Sequence, residues 1–176
     1  MLCTILGILV LALIVFAFVA SRQPAEFRVS RSTMITATPE KVFPHVNELR
    51  LWEAWSPWAR LDPSAKSTFE GPASGTGAIM RWNGNNKVGA GSMTITDSKP
   101  NEMVRFRLDF LKPMRATNTA EFSFQPQGSQ TQVTWSMVGN NNFIGKAMNL
   151  VLNCEKMCGD QFEKGLTNIK AVVEGK

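Results

Sequence analysis

The chain has 176 residues, with 19 Lys and Arg against 14 Asp and Glu, one His, three Cys and five Trp. This length suits one domain of roughly 150 residues with a short appendage, rather than two full domains. Three cysteines exclude a disulfide-rich secreted scaffold, and a single His excludes His-rich zinc sites. An apolar content of 44% excludes a wholly disordered chain.

The N-terminus is strongly apolar. Residues 2–20 carry no charge, and only Thr4 and Gly7 among them are not strongly apolar. As a helix they would extend about 28 Å, close to the hydrocarbon thickness of a bilayer. The pattern predicts one transmembrane helix, with residues 1–21 as the anchor, residues 22–26 as a tether and residues 27–176 as the soluble domain.

A cleaved secretory signal is the alternative for this segment. No Lys or Arg precedes the apolar run, and the run exceeds the usual signal-peptide core of about 7–15 residues, which favours an uncleaved anchor. The positive-inside rule favours a cytoplasmic soluble domain, because four basic residues follow the span. They are Arg22, Arg28, Arg31 and Lys41.

The soluble part begins with a strand pattern from Phe27 to Thr36. Thr38 and Pro39 then have the pattern of an N-cap and a first helical residue, and a helix is expected over Pro39–Asn47, kept short by Pro44. Further strands are expected at residues 66–70, 78–83, 88–97, 103–112, 115–125 and 131–139. The tight turns between them predict an antiparallel meander.

The last part of the chain has a helical pattern. At about 100° per residue, nine positions from Ile144 to Val173 share one stripe, and all are apolar except Glu155. A continuous helix from Phe143 to about Val173 would cross a whole small sheet. These elements predict an α+β fold. A sheltered ligand site depends on this helix being unbroken and clasped by the strands.

Four stretches resemble the START-like SRPBCC superfamily, and within it the polyketide cyclase/dehydrase-type proteins. They are FRVSRS at 27–32, TPEKVF at 38–43, Trp52 with WSPW at 55–58, and DQFEKGL at 160–166. The resemblance covers about residues 27–173. It implies a helix-grip fold, in which a curved antiparallel sheet wraps a long C-terminal helix and leaves a cavity for an apolar ligand. Members include lipid-transfer proteins, hormone-binding proteins and aromatic polyketide cyclases, without a universal catalytic motif.

Alternation along the strands predicts which side chains face the helix. The expected ligand-binding residues are Trp82, Phe106, Leu108, Asn118, Phe122, Trp135, Glu155 and Phe162. Ala116, Ala120 and Asn118 among aromatic residues leave volume for a ligand. The alternative is a solid core closed by neighbouring side chains, since natural interiors are dense.

Glu155 is the one charge in the apolar stripe, where burial without a partner would cost several kcal/mol. It is interpreted either as a cavity carboxylate that orients a polar head or acts as an acid or base, or as a group near the mouth of the grip that reaches water or pairs with an Arg such as Arg81 or Arg115. Trp52, Trp55 and Trp58 form either a lid or a core plug at one end of the sheet.

Beside the stripe lies an apolar shoulder, which faces the bilayer or a partner or packs under the loops of the sheet. Its residues are Phe143, Ala147, Leu150, Cys154 and Met157. Cys154 and Cys158 lack a convincing set of zinc ligands and are expected to be free thiols. His45 is interpreted as structural. No metal or cofactor is expected, and no nucleic-acid partner, because the basic residues are scattered.

The favoured hypothesis is a membrane-anchored domain that binds a hydrophobic small molecule or lipid between the sheet and the C-terminal helix. Residues 2–20 would make the membrane contact. The alternative is a cyclase, dehydratase or hydrolase, with Glu155 and Asn118 or Arg81 as polar cavity groups. A third hypothesis is an interaction module without a ligand, which uses the tryptophan region as its contact surface.

Overall fold

The computed structural model describes residues 2–175, with side chains from residue 4 onward. The first elements are helix α1 (Leu2–Arg22), strand β1 (Glu26–Ile35), helix α2 (Pro39–Asn47) and a 3₁₀ turn (Leu49–Ala54). Six strands follow: β2 (Lys66–Glu70), β3 (Ile79–Asn83), β4 (Ala90–Lys99), β5 (Met103–Lys112), β6 (Ala116–Gln127) and β7 (Gln130–Asn140). The chain ends with helices α3 (Phe143–Val151) and α4 (Cys154–Glu174).

The strands form one antiparallel sheet in the order β1-β7-β6-β5-β4-β3-β2. Consecutive strands from β2 to β7 are neighbours, and β1 completes the edge by pairing with β7. Register shifts near Gly91 and Asp97 interrupt the pairing of β4 with β5, and such bulges bend a strand. The predicted antiparallel meander is confirmed, and every predicted strand lies within two residues of an observed one.

Helix α2 has the predicted bounds, with Pro39 in its first turn and Pro44 inside it. Thr38 occupies the N-cap position, but its side chain makes no capping hydrogen bond to the backbone. Its hydrogen bond to Glu40 lowers the pKa of that carboxyl instead. The helix places Val42, Phe43 and Val46 in the core.

Helix α4 packs on one face of the sheet, called the inner face here, mainly over β1. Phe162 stacks on Trp135 of β7, with ring centroids 4.1 Å apart and planes within 5°. A Cβ atom on Gly165 would lie 2.7 Å from the Trp135 ring, so glycine permits this close approach of the helix. Further along the helix, Leu166 and Ile169 are buried as well. Together with the sheet topology, this packing gives the α+β helix-grip architecture.

The prediction of one continuous helix from Phe143 to Val173 is wrong. Helix α3 ends at Val151, and Leu152 has an extended backbone, with φ −113° and ψ 122°. The Asn153 side chain then accepts a hydrogen bond of 3.0 Å from the Lys156 backbone N–H and caps α4. An Asn side chain that caps a new helix competes with continuation of the preceding one, which explains the break.

The break also removes the first half of the predicted stripe from the core. Ile144, Met148 and Val151 are exposed, and the main contacts of α3 are with α1 and α4. The predicted shoulder does not pack under the loops of the sheet either, because Phe143, Leu150 and Met157 are exposed. Only the second half of the apolar stripe, from Cys158 onward, packs on the strands.

Helix α1 stands outside the core. The segment Thr4–Arg22 is long and apolar enough to cross a membrane, and only 6% of its most apolar window is buried. That exposure excludes the core helix of a soluble protein for this segment. The two roles considered from the sequence, a membrane anchor and a signal segment, both fit it.

The stack of Phe162 on Trp135 should dominate the attachment of α4. Phe162→Ala should lower the free energy of unfolding by about 3–5 kcal/mol, because it leaves a cavity in a filled core. Val172→Ala, at an exposed position of the same helix, should change it by no more than about 0.5 kcal/mol. Urea unfolding of the full chain in detergent, followed by circular dichroism, compares the two. Equal losses would contradict the assignment of Phe162 as the main attachment.

Candidate functional site

The tryptophans after α2 fill one end of the inner face. Trp52 and Trp55 are 5% and 1% exposed. Their indole N–H groups donate hydrogen bonds of 2.9 Å to the backbone carbonyls of Val46 and His45. Both indoles pack edge-on against Trp135, with centroids 6.0 and 5.8 Å away. The plug interpretation is therefore confirmed for Trp52 and Trp55, which are not available as a contact surface. Trp58 packs edge-on against Trp135 and Phe162 and remains partly exposed.

Four of the expected ligand-binding residues belong to this filled core. They are Phe106, Phe122, Trp135 and Phe162, none more than 3% exposed. Phe122 and Phe162 both stack on the Trp135 ring, at 4.6 and 4.1 Å, so the aromatic rings themselves occupy the space under α4. Since the helix is also broken, the condition set for a sheltered cavity beneath it is not met. The solid-core alternative describes this end of the sheet.

The other end of the inner face is less covered, and we call it the open end. It consists of Phe27, Met80, Trp82, Leu108, Phe110 and Asn118. Strand pairing places Leu108 opposite Asn118, and Asn118 opposite Gly139, which in turn faces Phe27. The five apolar members are partly exposed, in contrast to the core. Three expected ligand-binding residues, Trp82, Leu108 and Asn118, therefore lie together here.

Glycine shapes the open end at two positions. A Cβ atom on Gly91 would lie 2.6 Å from the Trp82 ring, so glycine lets this ring lie against β4. The ring packs edge-on against Phe110 at 5.8 Å, and its N–H donates to the Val88 carbonyl at 3.3 Å. At Gly139 a Cβ atom would collide with the Asn118 amide. Small residues therefore lie between the large apolar side chains of this end.

Asn118 is the polar side chain of the open end. It is 8% exposed, and its Nδ2 donates to the Met137 sulfur at 3.8 Å. A thioether sulfur is a weak acceptor, so this bond is a poor substitute for one to oxygen.

Glu155 lies outside the open end. Its Oε1 accepts a hydrogen bond of 3.0 Å from Arg31 Nη1, and half of its side chain is exposed. Arg31 Nε donates to Glu163 at 2.8 Å, and the two carboxylates raise the pKa of the guanidinium. Gly159 packs against the Arg31 guanidinium, where a Cβ atom would collide with it. The expectation of an Arg partner is confirmed, but its identity is not.

The two arginines proposed as partners of Glu155 are placed differently. Arg81 pairs with Glu70 at 2.8 Å on neighbouring strands, and this pairing lowers the pKa of Glu70 and raises that of Arg81. Arg115 lies in the exposed turn between β5 and β6. The enzyme hypothesis named three polar groups, Glu155, Asn118 and Arg81. Two of them, Arg81 and Glu155, are held in surface ion pairs and do not lie at the open end.

Burial dominates the ionisation of Cys158 and His45, although Arg31 lies close enough to Cys158 to oppose it. Cys154 and Cys158 are free, and burial raises the pKa of the Cys158 thiol to about 11, so it is protonated at neutral pH. Burial likewise lowers the pKa of His45. Across residues 2–175, no group of three or more His, Cys, Asp and Glu side chains is placed to hold a metal ion.

Asp62 holds the turn that positions Trp82 of the open end, and the sequence analysis did not identify it. Its carboxylate accepts hydrogen bonds from the Ser64 hydroxyl at 2.6 Å and the Asn85 backbone N–H at 2.6 Å. Asn85 lies in the turn between β3 and β4, whose Val88 carbonyl holds the Trp82 indole. The Asp-Pro-Ser sequence at 62–64 is typical of an Asx turn and was the available signal.

Two apolar grooves lie away from the sheet. One, of about 630 Å³, runs along α1 and is closed by a single residue of α3, Leu150. The other, of about 420 Å³, lies on α3 itself. Its lining consists of Phe143, Ile144, Ala147, Met148, Val151 and Leu152. Both grooves are formed by residues that a soluble domain would be expected to bury.

The Asp62 carboxylate should make stability depend on pH. Its hydrogen bonds lower the pKa of Asp62 in the folded state, so its contribution is fully present above the ordinary carboxyl pKa of about 3.9. The contribution is lost as the pH falls through the lower pKa of the folded state. Asp62→Asn should therefore be less stable than the wild type at pH 7, and the difference should shrink in acid. A difference in urea midpoint that is independent of pH would contradict this.

Glu155→Gln should have little effect on stability or on binding at the open end. Half of the Glu155 side chain is exposed, and Arg31 keeps its second partner, Glu163, so loss of this pair should cost little. The variant should unfold at nearly the wild-type urea concentration, and ligand retention should be unchanged from about pH 5 to 9. A binding loss that titrates with pH in the wild type and disappears in the variant would instead restore Glu155 as a ligand-orienting carboxylate.

Comparison with known proteins places this geometry in context. The family model described as "Polyketide cyclase / dehydrase and lipid transport" matches residues 26–174. No curated protein sequence is recognisably similar to the chain.

Solved structures share the fold at low sequence identity. Protein MLL2253 from Mesorhizobium loti is 12% identical, with a TM-score of 0.63 over 85% of this chain and 98% of that one. The Aha1 dimer from Colwellia psychrerythraea is 16% identical, with a TM-score of 0.61 over 84% and 96%. Ara h 8.0201 is 8% identical, with a TM-score of 0.59 over 86% and 99%. These likenesses establish the helix-grip fold and nothing further.

Proposed function

Because the chain belongs to the polyketide cyclase/dehydrase and lipid transport family of the SRPBCC superfamily, we propose that it binds a hydrophobic small molecule or lipid at the open end. One observation carries the proposal. The inner face is filled by aromatic rings beneath α4, yet Trp82, Leu108 and Phe110 remain partly exposed on the same face. An apolar ligand would cover them.

Binding of this kind requires no chemistry. Burial of apolar surface contributes about 25 cal/mol per Å² and supplies the affinity. Asn118 adds direction, because its amide has only a thioether partner and would favour a ligand with an oxygen-bearing head. The alternative of a cyclase or dehydratase stays a prediction from the sequence, and Asn118 is the group at the open end that it retains.

We further propose that α1 anchors the domain in a membrane. Only three residues separate the end of α1 from the start of β1, and Phe27 of β1 belongs to the open end. The proposed binding surface would therefore lie close to the bilayer, where apolar ligands partition. The basic residues after the span favour the cytoplasmic side, as expected from the sequence.

Blocking the open end tests the binding proposal. Leu108→Trp places a bulky indole ring on the inner face, whereas Arg107→Trp places the same ring on the outer face of the same strand. The full chain, purified in a mild detergent, is analysed by native mass spectrometry for retained apolar molecules. Wild type and Arg107→Trp should retain the same mass, and Leu108→Trp should lose about 90% of it, equivalent to about 1.4 kcal/mol.

The comparison is informative in either direction. Equal retention by Leu108→Trp and Arg107→Trp would move the ligand away from the open end. If wild-type protein takes up no fatty acid, phospholipid or sterol added in excess, the binding proposal itself is wrong.

A further inference from the structure

Helix α3 is amphipathic, and most of its apolar side has no protein cover. At about 100° per residue, its apolar side chains occupy an arc of about 160°, and Gly145, Lys146 and Asn149 lie opposite. Phe143, Ile144 and Val151 are 52%, 56% and 71% exposed. A soluble domain rarely leaves an apolar surface of this kind uncovered, so it marks a contact with something outside the domain.

The position of α3 indicates what that contact is. Helix α3 packs mainly against α1. Its Leu150 borders the apolar groove that runs along α1. The Asn141 backbone N–H donates to the Ala25 carbonyl at 2.6 Å, which joins the start of α3 to the residues that follow α1. The apolar side of α3 is therefore continuous with the apolar surface of α1.

Charge supports the same location. Residues 140–153 contain no Asp or Glu and one Lys. Arg22, at the end of α1, lies over the Phe18 ring at 5.1 Å, in the position of a residue at the edge of a membrane span. At the same end of the sheet, the end of β5 exposes Leu111 beside Lys112, and the turn that follows exposes Met114 beside Arg115. Apolar side chains flanked by cations suit a bilayer surface with anionic lipids.

We propose that the apolar side of α3 lies in the lipid bilayer beside α1, as an interfacial helix at the boundary between headgroups and acyl chains. This inference rests on the proposed membrane anchoring by α1. It explains why the C-terminal helix is broken: a continuous helix would carry these apolar residues along α4, whereas the break at Leu152 and Asn153 frees them to meet the membrane. The bilayer, and not the sheet, covers α3.

Site-specific fluorescence in membranes tests the inference on the full chain. The cysteines Cys3, Cys154 and Cys158 are replaced by Ala, and Ile144→Cys is labelled with the environment-sensitive dye NBD. The protein is reconstituted in vesicles of phosphatidylcholine and phosphatidylglycerol, with or without nitroxide groups on the acyl chains. Val172→Cys, at the far end of α4, is the matched exposed control, and Leu11→Cys reports on α1.

Nitroxide quenching at Ile144 should exceed that at Val172 by at least about twofold, because an interfacial helix buries its apolar face about 5–10 Å into the boundary region. Val151→Cys provides a second position if the Ile144 variant does not fold, as judged by circular dichroism. Quenching at Leu11 without quenching at Ile144 or Val151 would overturn the proposal for α3 while leaving the anchor in place.

Two other outcomes would also overturn it. Absence of quenching at Leu11 would remove the membrane anchoring itself, and with it this inference. A label at Ile144 that is shielded from both acyl-chain nitroxide and aqueous iodide, in a sample that crosslinks as a dimer, would assign the apolar side of α3 to a second copy of the chain. Neither result would affect the ligand retention measured with Leu108→Trp.

Discussion

The stack between Phe162 and Trp135 is the contact on which the rest of the domain depends. It fixes α4 on the sheet at one place, and the other aromatic rings are arranged around it, with Trp52 and Trp55 packing edge-on from the opposite side. Since rings fill this end completely, any free apolar surface must lie elsewhere on the inner face. The open end is therefore the part of the inner face that the aromatic core does not fill.

The core stops where small residues replace aromatic ones. Gly139 pairs with Phe27 near the start of β1, and Gly91 pairs with Trp82 across β3 and β4; both apolar partners are partly exposed. The C-terminal helical region is interrupted at Leu152 and Asn153. The capping of α4 by Asn153 separates α3 from α4 and leaves α3 packed mainly against α1. The proposed membrane contact of α3 would follow from this break.

The strands, α2 and the facing of the inner residues could be predicted because each depends on a local pattern. Alternation in β5 separates Val104 and Phe106 from Arg105 and Arg107, and the structure buries and exposes them accordingly. The helix break could not be predicted from periodicity, because apolar spacing continues through Leu152 while the cap of Asn153 decides the backbone. The partner of Glu155 was missed for a different reason: Arg31 lies 124 positions away, and only the tertiary fold brings the two together.

The short link between α1 and β1 has a mechanical consequence. Three residues can extend no more than about 11 Å at about 3.6 Å each, so a domain attached through them to a membrane span stays within contact range of the lipid surface. If α1 is the membrane anchor proposed above, the domain could not carry cargo across the aqueous space between two membranes. Its cargo would have to enter from, and leave to, the patch of membrane directly beneath it, or pass to a soluble acceptor that comes to it.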